Sequence, residues 1–309
     1  MGMIPRTWRF VVFAAVALTG CDREGALDLP GNGDSVVGAV QKVRLDEPAP
    51  PIAVARRYSV ALNDLQRSNS KVRGIHSGKL AAGTEVTVPT LFVLPDAPRR
   101  GIVVNIAERR LYYFPGDPDD EPSEVFAFAA AVGRDEWETP TGETHVAELI
   151  KDPTWYPPQS IREESAAEGK ELPEAIPPGP DNPLGEYALR LGWKKHLIHG
   201  TNAPQSIGGR VSHGCVRLYP EDMERLFDEV REGTPVRLVD QPVKLGTREG
   251  QLYLEVHSSP AADTRAQQER IMARIAEWAK AERGRRIDWI KVERTLAGAH
   301  GRPVRISAS

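Results

Sequence analysis

Eight prolines crowd into residues 151–187, at positions 153, 157, 158, 173, 177, 178, 180 and 183. Proline fixes φ, lacks an N–H and biases the residue before it away from the helix. No central strand or long helix is therefore expected here, and the stretch reads as one long loop. Loops of that length beside ordered elements tend to be functional. Across the chain, 27 glycines and 26 prolines in 309 residues point to strands and turns rather than a helical bundle. The length suits about two domains and a core that needs no disulfide staples. With 40 Lys plus Arg against 43 Asp plus Glu the net charge is −3, which argues against a nucleic-acid partner.

The segments around the loop read as mainly β. Residues 102–106 and 111–114 are β-branched and aromatic runs separated by Ala-Glu-Arg-Arg, a hairpin signal. Further strands are expected over 124–132, 143–150, 189–191, 196–199, 235–239 and 252–256. Residues 220–230 predict a helix with Pro220 in its first turn and Met223, Leu226, Phe227 and Val230 along one face. Thr264-x-x-Gln267 is a capping box that opens another helix, and a short one is expected over 287–296. Upstream, 52–58 and 62–68 predict two short helices, and 83–89 a strand.

Residues 1–20 read as a signal peptide: Arg6 and Arg9, then an apolar run from Phe10 to Leu18 that is short for a membrane span of ~20 residues. Leu18-Thr19-Gly20-Cys21 resembles a bacterial lipobox, which implies acylation of Cys21, a membrane anchor and a periplasmic location. Residues 21–50 carry Gly, Pro and Asp with little periodicity and read as a flexible tether. Residues 51–97 resemble the back half of a LysM module, a glycan binder, without its opening strand. Once Cys21 is lipidated, Cys215 has no partner in the chain, and an unpaired cysteine in an oxidising compartment is a candidate reactive thiol.

The stretch from His196 to Leu218 carries the chemistry. A cysteine attacks as its thiolate, a form that needs a base or a positive environment to lower the thiol's pKa. His199 ends a predicted strand, and His213 lies two residues before Cys215, on the same face if the segment is extended. Gly200 and Gly214 allow close backbone approach, so that their polar groups orient an imidazole or hold an oxyanion. Arg210 and Arg217 supply positive charge suited to peptide carboxylates. Two His and one Cys also satisfy the ligand count of a catalytic zinc, but no carboxylate lies between His199 and Cys215 to act as base. No metal or other cofactor is expected.

His199-Gly200, eleven residues, then Ser212-His213-Gly214-Cys215-Val216-Arg217-Leu218 resembles the signature of the L,D-transpeptidases, the YkuD fold. Residues 89–115, Thr139-Pro-Thr-Gly142, Asp152-Pro-Thr-Trp155, Gly179 to Gly185 and Ile287-Asp-Trp-Ile290 resemble its ErfK/YbiS/YcfS/YnhG branch. The resemblance implies a YkuD-type β-sandwich at 98–240, with a short helix after the motif and the Pro-rich loop 151–187. The LysM-like αβ segment precedes it, and 241–309 form a strand and helical extension. It implies Cys215 as nucleophile, His199 as proton donor and acceptor, Gly200 as a backbone orienter and Gly214 in the oxyanion site. His213 either assists there or only packs. Ser212, Arg210 and Arg217 are expected near substrate, and His196 toward structure. The implied substrates are peptidoglycan stem peptides. The implied acceptor is a diaminopimelate side chain, a Braun-type lipoprotein lysine, or water.

Overall fold

A computed structural model describes residues 10–12, 25–31, 33–117, 120–259, 264–282 and 285–308. The N-terminal unit is a strand–helix–helix–strand motif: β1 (Val36–Leu45), α1 (Pro51–Arg57), α2 (Leu62–Ser68) and β2 (Glu85–Val93). β1 and β2 pair antiparallel from Val36 opposite Val93 to Arg44 opposite Glu85. α1 begins with Pro51, whose missing N–H no helical bond requires. The two helices lay Val54, Ala55 and Leu65 onto Val43, Leu45, Val86 and Val88.

This unit corrects one expectation. Residues 21–50 are not a tether throughout, because Val36–Leu45 is a strand paired with β2. The period-2 signal is hidden because Ala39 to Lys42 lie exposed or half-exposed while only the two ends are buried. Ala26–Asp28 is also paired, with Glu124–Phe126. The predicted signal segment and Cys21 lie outside the described residues apart from Phe10–Val12, which pair with Val43–Leu45.

The middle of the chain closes a sheet on itself. Its strands are β3 (Gly101–Asn105), β4 (Arg110–Phe114), β5 (Glu124–Gly133), β6 (Gly142–Lys151), β7 (Tyr187–Leu191), β8 (Leu197–His199), β9 (Arg210–Ser212), β10 (Val216–Leu218) and β11 (Pro235–Val239). The path runs β5-β10-β8-β7-β6-β11-β3-β4 and returns to β5, with β9 added on β5. Two long strands make closure possible. β5 pairs with β4 through Phe126–Ala129 and with β10 through Ala130 and Ala131. β6 pairs with β11 over Gly142–His145 and with β7 from Val146 onward.

Ile102, Val104, Leu111, Phe126, Phe128, Leu189, Ile198, Val216 and Leu218 share the core between the two layers. α4 (Pro220–Glu229) follows β10 and adds Met223 and Leu226 to it, each worth about 1.5–3 kcal/mol of burial. The Pro-rich segment is not all loop: α3 (Gln159–Ala167) forms in its widest proline-free window, between Pro158 and Pro173. The C-terminal part pairs an unexpected strand β12 (Val243–Arg248) with β13 (Gln251–Val256) and covers them with α5 (Thr264–Ala281) and α6 (Trp289–Gly298). Asp288 caps α6 by accepting from the Lys291 N–H at 3.0 Å. Among the described residues no helix is long and apolar enough to cross a membrane.

Candidate active site

β8 and β10 run parallel, with Ile198 opposite Val216 and His199 opposite Arg217. Ile198, Val216 and Leu218 point into the core. Alternation along each strand therefore puts His199 and Arg217, with Leu197 and Cys215 one step back, on the opposite face. The imidazole, the thiol and one guanidinium share a surface that two short strands hold rigid.

His199 is 3% exposed. Burial, and after it the charge of Arg217, push its pKa down to about 3, while the backbone at Gly200 and Leu184 pulls the other way. The resting imidazole is neutral and able to accept a proton. Its Nδ1 is buried, and no partner among the described residues meets it in full hydrogen-bond geometry. The Gly200 N–H donates to the Tyr187 carbonyl at 3.1 Å, which fixes the strand end behind the ring.

Cys215 makes no disulfide, and its Sγ lies 3.8 Å from the Lys195 carbonyl oxygen. Burial pushes the thiol pKa up; the backbone at Leu197 and the Arg217 charge oppose it. The resting pair is a thiol and a neutral imidazole, and the Arg217 charge acts toward the thiolate form.

The turn before the thiol is built by short-range bonds. The Ser212 hydroxyl donates to the Cys215 carbonyl at 2.5 Å, and the Arg134 N–H donates to the Ser212 carbonyl at 3.1 Å. Gly214 has φ +99°, a region closed to ordinary side chains, so glycine is required there. A Cβ on it would sit 3.5 Å from Nε2 of His196, whose ring stands edge-on to Trp193. His196 packs against Trp193 and borders the turn that leads to Cys215.

Ser212 is fully buried with its hydroxyl engaged in the turn. Arg210 lies 3.5 Å from Ser259 Oγ and near the charge of Asp240.

His213 has partners that the sequence did not reveal. Its Nε2 lies 2.7 Å from Oε2 of Glu164 on α3, and Nη2 of Arg134 lies 2.7 Å from the same oxygen. The Trp137 ring sits 5.3 Å from the imidazole, centroid to centroid. The Arg134 and His213 hydrogen bonds hold the Glu164 carboxyl at about 2, well below its ordinary range. Glu164 lies 49 residues from His213 in sequence, so no local motif marks it; its sole signal is an acidic residue in the proline-free window.

Cys215, His199 and His213 do not gather their ligand atoms into a metal-sized group. Among the described residues only Glu108, Glu255 and His257 do so. There the Lys244 ammonium already stands 2.7 Å from Glu108 and 3.1 Å from Glu255.

The YkuD family model, described as the L,D-transpeptidase catalytic domain, matches residues 99–238. A protein named Probable L,D-transpeptidase YbiS, from Escherichia coli K12, is 35% identical over 99% of this chain and 100% of its own length. Two others from the same organism, named Probable L,D-transpeptidase ErfK/SrfK and Probable L,D-transpeptidase YcfS, are each 38% identical. The first match covers 91% of this chain and 90% of that protein, the second 80% and 77%.

Proposed function

The chain belongs to the YkuD family of L,D-transpeptidases, and from that premise we propose a cysteine acyl transfer on peptidoglycan stem peptides. Cys215 Sγ attacks the carbonyl of the third residue of a tetrapeptide stem as its proton passes to His199. The bond to the terminal D-Ala breaks, His199 returns the proton to the leaving amine, and a thioester remains. An amine then attacks the thioester, gives its proton to His199 and displaces the sulfur, which takes that proton back. The Gly214 and Cys215 N–H groups hold the oxyanion. The amine is a diaminopimelate side chain, giving a 3-3 cross-link, or the lysine of a Braun-type lipoprotein. With water as acceptor, the same centre is a carboxypeptidase or releases wall-linked protein. The reaction belongs in the periplasm, with Cys21 acylated and the chain held at a membrane.

The parallel register of β8 and β10 carries this reading, because it sets thiol, imidazole and guanidinium on one rigid face. A wall-binding protein without activity has no use for that arrangement. Incubation with a stem tetrapeptide and an amine acceptor, followed by mass spectrometry, tests it. A thioester adduct on Cys215 and released D-Ala are expected. Cys215→Ala should abolish both, and His199→Ala should slow turnover by about 10²–10⁴-fold. Turnover by Cys215→Ala near that of the wild type would reject the nucleophile.

A further inference from the structure

The segment carrying the nucleophile is held on one side by its own turn and on the other by α3, a helix that brings no group to Cys215 directly. What α3 brings is Glu164. One carboxylate oxygen receives both the Arg134 guanidinium and the His213 ring, each at 2.7 Å. Arg134 Nη2 also lies 3.1 Å from His213 Nε2. A carboxylate has no donor, so the shorter contact, 2.7 Å against 3.1 Å, is met when Nε2 carries a hydrogen and gives it to Glu164, with Arg134 donating to the same oxygen. The ring is engaged at Nε2 and packs against Trp137 at a tilt of 52°, and Nδ1 is its other nitrogen. Arg134 closes the loop, since its own N–H binds the Ser212 carbonyl, three residues before the thiol.

We propose that Glu164 is a positioning residue for the acyl transfer. Through its paired bonds to His213 and Arg134 it fixes the His213 ring so that Nδ1 is the atom presented to the reacting carbonyl, and it pins α3 across the nucleophile's turn. The inference rests on Cys215 being the nucleophile. It assigns the pairing to the reaction and not to stability: Glu164 is more than a third exposed, and exposed ion pairs contribute little to folding.

The test measures kcat and KM for acylation of Cys215 by a stem tetrapeptide, with Glu164→Ala made in the wild-type and in the His213→Gln background. Hydrogen bonds to charged groups are worth about 1.5–3 kcal/mol, so kcat should fall about ten- to a hundredfold in the wild-type background with KM nearly constant. In the His213→Gln background the same change should cost less than about twofold, because its route to the chemistry is already cut. Glu164→Asp, on the same helix face, should restore part of kcat, and thermal unfolding should confirm that every variant folds. Equal losses in both backgrounds, an unchanged kcat, or a loss confined to KM would overturn the proposal. A wild-type protein that is never acylated would overturn the underlying reading instead, and that failure shows before any variant is compared.

Discussion

At the scale of single residues, Arg217 is the group whose charge acts on both the thiol and the imidazole. Its charge pulls the Cys215 thiol pKa down against burial and adds to burial in pushing His199 down. Removing it should shift both groups upward. We expect Arg217→Met to move the pH midpoint of Cys215 alkylation by iodoacetamide to higher pH, with slower labelling at neutral pH. A midpoint moved lower would show that the guanidinium does not face the sulfur. The sequence displayed Cys215, His199, Gly214 and Arg217 because they fall within nineteen residues whose composition makes no sense as core. It hid Glu164, Arg134 and Trp137 because their link to His213 depends on where α3 and the end of β5 come to rest, which no local pattern encodes.

Among elements, α4 joins the closed sheet to the N-terminal unit. Ser59, just beyond α1 with φ +50°, gives its carbonyl to the Ala129 N–H and Arg110, and its hydroxyl donates to Asp222 Oδ1 at 2.6 Å. Asp222 is 3% exposed, and its other oxygen has no partner among the described residues. Burial pushes its pKa up to about 7, with the Ser59 bond opposing. A carboxyl raised on folding holds its proton in the native state between about 4 and 7 while the unfolded chain has lost it. Its contribution to stability is therefore full below the unfolded value and declines as pH rises through the folded one. Asp222→Asn keeps an acceptor for Ser59 and removes the charge. Its melting temperature should gain on the wild type between pH 5 and pH 8, by an amount equivalent to a few kcal/mol (roughly 1.4 per unit). Equal differences at both pH values would reject the assignment. The helices of this joint were legible in the sequence, Pro220 and the apolar face of α4 above all. β1 was not: its exposed middle breaks the alternation, and its pairing with β2 spans a loop of two helices.

Across the whole molecule, one buried ionic network ties the end of β2, the turn between β3 and β4, and the β12–β13 hairpin together. Lys244 of β12 bridges Glu108, in the turn between β3 and β4, and Glu255 of β13; its Nζ also donates to the Val93 carbonyl at the end of β2. Glu255 accepts from the Val93 N–H and lies against His257. Burial alone would raise the Glu108 carboxyl, but Lys244, then His257 and Arg110, hold it at about 2. Removing the ammonium leaves two buried carboxylates facing one another. Lys244→Met should therefore cost about 3–5 kcal/mol in denaturant unfolding, with far-UV dichroism and tryptophan fluorescence keeping a common midpoint because the network ties the parts together. Two well-separated transitions would show that the parts unfold independently. Sequence could not display this network, since Glu108 lies 136 residues from Lys244. The closure of the chain onto β5 has a last consequence, at its front end. Ala26 is already in register opposite Phe126, five positions after Cys21. Five extended residues reach at most ~18 Å. If acyl chains grip that cysteine, the folded body rides on a very short leash, flush with the bilayer. Wall strands then have to drape down to the lipid surface to be processed.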